Sequence, residues 1–167
     1  MTDGAASLNT FAYALQASGG WSDNLGTNVL DSGRPWYEVY PTSDGKHVAI
    51  GSIEPRFYKA LVSKLGLHAD AMPQHDPNAW DRMREVLTRT FSTKTRDEWC
   101  SFFDGTDVCF SPVLSPSEAV THPHNVARLT FTEVSGVVQP APAPRFSRTP
   151  GRIQSPPPSQ ANALPRL

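Results

Sequence analysis

Proline sets the first limit on this chain. It has 16 prolines in 167 residues, and half of them lie between Pro140 and Leu167. Proline locks φ and lacks an N–H, so it stays out of helix interiors and central strands. The stretch PAPAPRFSRTP from Pro140 is therefore expected to run as an extended arm, and Pro156 to Leu167 to be disordered. Regular structure has to come earlier, where single prolines act as punctuation.

Asp3 to Ser18 reads as a helix capped by Asp3 and stopped by Gly19-Gly20. Its apolar residues go around it and leave no single stripe. Trp21 to Gly33 is rich in Asn, Asp, Gly and Ser without a period, which marks a long connection. The β-prone runs Trp36–Pro41 and Lys46–Ser52 flank Thr42-Ser43-Asp44-Gly45, a hairpin in which Gly45 takes a positive φ.

Pro55 to Leu65 is expected as a helix with proline at its first position and a stripe of Phe57, Leu61, Val62 and Leu65. Asp76 to Phe91 carries Trp80, Met83, Leu87 and Phe91 at helical spacing. Thr95–Glu98 and Ser115–Glu118 are capping boxes opening two more helices, the second ending near His122-Pro123. Val108 to Leu114 reads as an edge strand, because Pro112 cannot donate to a ladder. Leu129–Val134 and Val137-Val138 around Ser135-Gly136 suggest a second hairpin. The fold class is α+β, with a unit of about 90 residues at 36–125 that is large enough for a modest core.

Charge narrows the function. Fifteen Lys+Arg against 16 Asp+Glu give a net charge of −1, so the basic face that nucleic acid or a membrane surface demands is not expected. No apolar run approaches the roughly 18 residues of a membrane span. Two cysteines, Cys100 and Cys109, are too few for a disulfide scaffold or a zinc site, and the reducing cytoplasm is the expected setting. Both are read as buried and inert, with no base nearby to lower the thiol pKa. Charged residues make only 19% of the chain, below the roughly 25% of a usual domain, which points to surface meant for burial against something else.

The sharpest local pattern is Gly51-Ser52-Ile53-Glu54-Pro55, where a strand ends, a helix begins and a carboxylate stands at the junction. Glu54 has two readings: a plain helix-start acid, or a carboxylate that orients or shares a proton with a catalytic base. The five histidines, at 47, 68, 75, 122 and 124, show no metal-binding spacing, and no metal is expected. Surface positions are expected for His47, His68 and His75. His122 and His124 end a helix or bind an anion. Arg145 and Arg148 either clip a phosphate or carboxylate or form a solvated basic pair. The residues themselves offer one well-placed carboxylate and no partner base.

The run YEVYPTSDGKHVAIGSIEPRFYKALVSKLGL resembles the small domain of α-methylacyl-CoA racemases, in the family III CoA-transferase (CaiB/BaiF) superfamily. RDEWCSFFDGTDVCFSPVLSPSEAVTHPHNVAR and PAPAPRFSRTPG continue the match, and GGWSDNLGTNVLDSGRPWY resembles the linker before that domain. The resemblance implies that 1–35 is a helix and linker docking on a large domain, 36–125 the small domain, 126–155 a hairpin and return arm, and 156–167 a tail. It implies an isomerase acting on 2-methylacyl-CoA thioesters through an enolate, with the CoA thioester as substrate and no separate cofactor. A CoA-transferase is the alternative.

Of the family's catalytic residues only the glutamate is carried over, at Glu54, where it would hydrogen-bond the catalytic histidine. The family's histidine, aspartate and most of its CoA surface belong to an N-terminal part without a match here. Met1 aligns with an internal methionine of the family pattern. The chain is thus expected to be a C-terminal part, inactive alone, working in an interlocked homodimer or with a separate N-terminal half, or else a catalytically incomplete fragment.

Overall fold

Residues 1–156 are described by the structure, a computed structural model. The expected disordered tail therefore lies outside the described residues except for Pro156. The chain divides into two compact units, Met1–Val113 and Leu114–Leu167.

In the first unit the hairpin forms as its sequence dictates. Strand β1 (Tyr37–Pro41) pairs antiparallel with β2 (His47–Gly51), Tyr40 opposite Val48. Gly45 closes the turn at φ +73°, its N–H donating to the Thr42 carbonyl at 3.1 Å. Strand β3 (Phe110–Val113) joins the other edge of β2, giving the order β1-β2-β3 with Pro112 on an edge strand as expected. One face turns Tyr40, Val48 and Ile50 into the core, while Val39, Ala49 and Val113 look the other way and are wholly or partly exposed.

Two helices precede the sheet where one was expected. Helices α1 (Thr2–Leu8) and α2 (Thr10–Ala17) meet at Asn9, and neither has a buried residue. An apolar pattern that goes all the way round gives no face to bury here, and Leu8, Phe11 and Tyr13 stay exposed.

The connection that follows is tied rather than slack. Asn28, buried, accepts from the Ser22 N–H at 2.7 Å and donates to the Ser22 carbonyl and the Asp31 carboxylate at 3.0 and 2.7 Å. Gly33 packs so tightly against Thr27 and Asn28 that a Cβ there would collide with their backbone. Next to it Arg34 lies over the Trp80 ring at 4.2 Å.

Helix α3 (Pro55–Lys64) buries Tyr58, Leu61 and Val62. Phe57, expected inside, is only partly covered. Tyr58 takes that place and satisfies its hydroxyl by donating to the Met72 carbonyl at 2.9 Å, and burial holds its phenol well above the ordinary value. A 3₁₀ turn at Pro77–Ala79 leads into α4 (Trp80–Phe91), which buries Met83, Leu87 and Phe91. Helix α5 (Arg96–Phe103) opens on the expected Thr95–Glu98 capping box and buries Trp99 and Phe103.

Aromatic rings fill the core between these helices and the sheet. Phe91 stacks on Tyr40 at 5.3 Å, meets Trp99 edge-on at 5.2 Å, and its carbonyl accepts from the Trp99 indole at 2.8 Å. Trp36 bridges Tyr58 and Trp80 at 5.7 and 5.5 Å.

The second unit is built differently. Helix α6 (Pro116–Thr121) opens on the Ser115–Glu118 capping box. Pro123, expected only to break this helix, also occupies the first position of the next, α7 (Pro123–Ala127). Strands β4 (Phe131–Val134) and β5 (Val137–Pro140) form the expected second hairpin about Ser135-Gly136, both at positive φ as a type I′ turn requires. Beyond it the arm is bent at 143–144 and 147–149 and is not a straight polyproline run. Among its described residues this unit has no fully buried side chain, and Val126, Leu129 and Val138 are exposed.

Two outcomes follow for stability. Phe91→Ala removes the ring shared by Tyr40, Trp99 and Phe103, and should cost about 3–5 kcal/mol in urea unfolding of the chain; a loss below about 1 kcal/mol would contradict the packing. Asp44 is held below the usual carboxylate range first by the Thr42 hydroxyl, and Glu98 by the Thr95 N–H and hydroxyl. Depressed folded-state values mean their contribution is complete above about pH 4 and is lost as pH falls through those values. Asp44→Asn should therefore flatten the acid limb of melting temperature against pH, and an unchanged limb would count against the role of the Asp44 carboxylate.

Candidate functional site

The site is built from the place where β2 leaves the sheet. Gly51 still belongs to the ladder, its N–H donating to the Cys109 carbonyl at 2.9 Å. Ser52 is fully buried; its N–H donates to the Trp36 carbonyl at 3.0 Å and its hydroxyl to the Val108 carbonyl at 2.7 Å. From the other side Gln74, nearly buried, sends its amide N–H to the carbonyls of Ile53 at 2.8 Å and Ser52 at 3.4 Å. The carbonyl of Gln74 in turn accepts from the Trp80 indole at 3.1 Å. Three residues between a strand and a helix are thus anchored on three sides.

Glu54 follows as the residue capping α3, with extended φ −70° and ψ 140°. Its backbone carbonyl accepts from the N–H groups of Phe57 and Tyr58 at 3.0 Å each, which starts the helix. Its side chain makes no capping hydrogen bond, and the residue is exposed. Among the described residues no hydrogen bond or ion pair engages its carboxylate. A capping acid would spend its oxygens on the free N–H groups of the first turn. Glu54 holds the capping position with its backbone and leaves the carboxylate free, at the positive end of a 10-residue helix.

Cys109 lies within electrostatic range of it, which sequence spacing did not indicate. The residue is exposed, at φ +52°, and lies just outside β3. This corrects the expectation of a buried cysteine: a chain turning into an edge strand at positive φ presents the residue outward. Partial burial first, and then the charges of Glu54 and Asp107, push its thiol up, against the opposing pull of Arg56. Gly51 and Cys109 line an open depression of about 310 Å³ on the outward face of the sheet, together with Leu30, Tyr37, Val39 and Ala49. Its floor is largely apolar, with Ser32, Glu38 and Ser111 adding the polar groups.

His47, His68 and His75 are exposed, as expected. His122 caps α7 and His124 lies in that helix, so both belong to the second unit. Arg145 donates to the Leu129 carbonyl at 2.7 Å and clips a neighbouring turn of its own unit. Cys100 is half-buried, its thiol raised by burial and by Asp97. Among the described residues no three His, Cys, Asp or Glu side chains are grouped to hold a metal, and no helix is long and apolar enough to cross a membrane.

Gln74 is the residue that sequence reasoning missed. It sits in a polar connection between two 3₁₀ turns, where an amide has no periodicity to mark it.

Comparison with known proteins agrees with this architecture. Over 152 residues the chain is 43% identical to α-methylacyl-CoA racemase of Mus musculus and 42% identical to that of Homo sapiens. Each match covers 90% of this chain and 40% of the relative, so the chain spans about two-fifths of the length of these curated relatives. Among solved structures, a mutant of Rv3272 from Mycobacterium tuberculosis superposes with a TM-score of 0.63 at 13% identity, covering 94% of this chain and 42% of that one. At that identity the likeness is one of fold, and it bears out the α+β class. The family pattern for CoA-transferase family III matches residues 1–162, and the chain belongs to that family.

Proposed function

We propose that this chain supplies the C-terminal part of an α-methylacyl-CoA racemase-like isomerase, in which Glu54 orients the catalytic base. The observation that carries the proposal is the carboxylate of Glu54, exposed, without a partner among the described residues, and fixed from behind by a buried backbone junction. The 42–43% identity to α-methylacyl-CoA racemases supports the choice of chemistry.

The reaction is a 1,1-proton transfer at the α-carbon of a 2-methylacyl-CoA thioester. A base removes the α-proton, and the electron pair of the broken C–H bond moves onto the thioester oxygen as an enolate. The pair then returns to carbon as an acid delivers a proton from the opposite face. Glu54 accepts a hydrogen bond from the histidine base, holds it in the tautomer whose free nitrogen faces the α-carbon, and stabilises its protonated form. The histidine and its acid partner would come from the part of the family pattern that this chain does not match. The thioester is substrate, and the scheme draws on no further cofactor.

The exposed apolar residues support a partner for both flanks. Neither α1, α2 nor the described part of the second unit buries a side chain fully, although they carry Leu8, Phe11, Val126 and Leu129. In this reading those surfaces are covered in an interlocked homodimer or by a separate N-terminal half, and the assembly works in the cytoplasm. A CoA-transferase is the second reading, favoured by the description of the family pattern itself. It would pass CoA between carboxylates through an aspartyl thioester and would leave Glu54 without a proton to manage.

The test mixes this chain with the separately expressed N-terminal portion of the mouse relative and follows loss of α-deuterium from a labelled 2-methylacyl-CoA. Exchange is expected in the mixture and not with either piece alone. Glu54→Gln should lower turnover by roughly 10²–10⁴-fold, the usual worth of general acid–base catalysis, with little change in substrate affinity. Unchanged turnover would remove Glu54 from the mechanism. CoA transfer to a free carboxylate without α-exchange would replace the isomerase by the transferase.

A further inference from the structure

The geometry points to Gln74 as the positioning residue of the Glu54 carboxylate. This rests on the role given to Glu54 above, and it is tested independently of that role. Once β2 ends at Gly51 the strand ladder supplies no further donors. The carbonyls of Ser52 and Ile53 emerge against the connection between α3 and α4, where an unmet acceptor would be costly. Gln74 meets both with one amide group, at 3.4 and 2.8 Å, from a side chain that is nearly buried itself.

Gln74 is not free to follow a moving junction. Its own carbonyl is held by the Trp80 indole at 3.1 Å, and Trp80 opens α4, whose next buried residue is Met83 in the core. A line of interactions thus runs from α4 through Trp80 and Gln74 to the peptide immediately before Glu54. Among the described residues Glu54 makes no side-chain hydrogen bond to fix it from the front. The direction of its Cα–Cβ bond is therefore set by the Ile53–Glu54 peptide, and Gln74 is the side chain that holds that peptide's carbonyl.

The experiment uses the 167-residue chain with ¹³C-labelled glutamate. The sequence has six glutamates, so the carboxyl signal of Glu54 is assignable by its loss in Glu54→Gln. Gln74→Met keeps the volume and removes the donor. The signal of Glu54 should move toward its position in the urea-unfolded chain. Glu98 and Glu118, which are locked in capping boxes, should stay where they are.

Gln74→Glu adds a reversible arm. Surrounded by carbonyls and desolvated, its carboxyl stays protonated to higher pH than usual, and the neutral form donates where the ionised form cannot. The signal of Glu54 should therefore return toward the wild-type position as that carboxyl protonates. A Glu54 signal unmoved in Gln74→Met overturns the proposal. Movement of all the glutamate signals together also overturns it, because Gln74 would then be a general support of the fold. In either case the deuterium-exchange result for Glu54 stands or falls separately.

Discussion

A buried hydroxyl anchors the strand–helix junction at which this chain presents the Glu54 carboxylate. Ser52 donates at 2.7 Å to the carbonyl of Val108, 56 residues further along, with no exposed surface of its own. That bond joins the exit of the central strand to the entry of the third strand. With the Ser52 N–H held by Trp36, it fixes a backbone that no longer has a ladder to hold it. The rest of the first unit serves the same constraint. The Tyr40–Phe91–Trp99 rings hold the helices on the inner face of the sheet, and the outer face is left open beside Gly51 and Cys109.

Burial is unevenly spread, and that explains the unusual composition. The aromatic core lies between Trp36 and Val108. The two segments outside it, the first two helices and the described part of the second unit, expose large apolar residues without burying any side chain fully. A charge content of 19% averages a normally patterned domain with flanking segments that carry few charges.

Much of the fold was legible because its signals are local. Both capping boxes, the proline at the start of α3, the Gly45 turn and the Ser135-Gly136 turn depend on residues within four positions of one another, and all form as expected. Legibility failed where the outcome depends on distant partners. The choice of Tyr58 over Phe57 for the core depends on the Met72 carbonyl being there to accept its hydroxyl bond. Cys109 looked like a strand residue bound for the interior, yet its positive φ turns it out within electrostatic range of Glu54. The position of Glu54 was readable as a junction; the fact that its carboxylate is left free was not, since capping acids and functional acids share the same sequence context. Gln74 gave no sign at all, because an amide that satisfies two carbonyls some twenty residues away leaves no pattern nearby.

The central claim is that the junction before Glu54 is rigid although it belongs to neither strand nor helix. Native-state hydrogen exchange at the amide of Ser52 tests this most directly, since that N–H is held by the Trp36 carbonyl outside the strand ladder. Ser52 should exchange as slowly as the amide of the fully buried Leu87 in α4, opening only when the whole unit unfolds. Exchange as fast as that of the exposed α2 amides would contradict it, and Glu54 would then stand on a mobile loop.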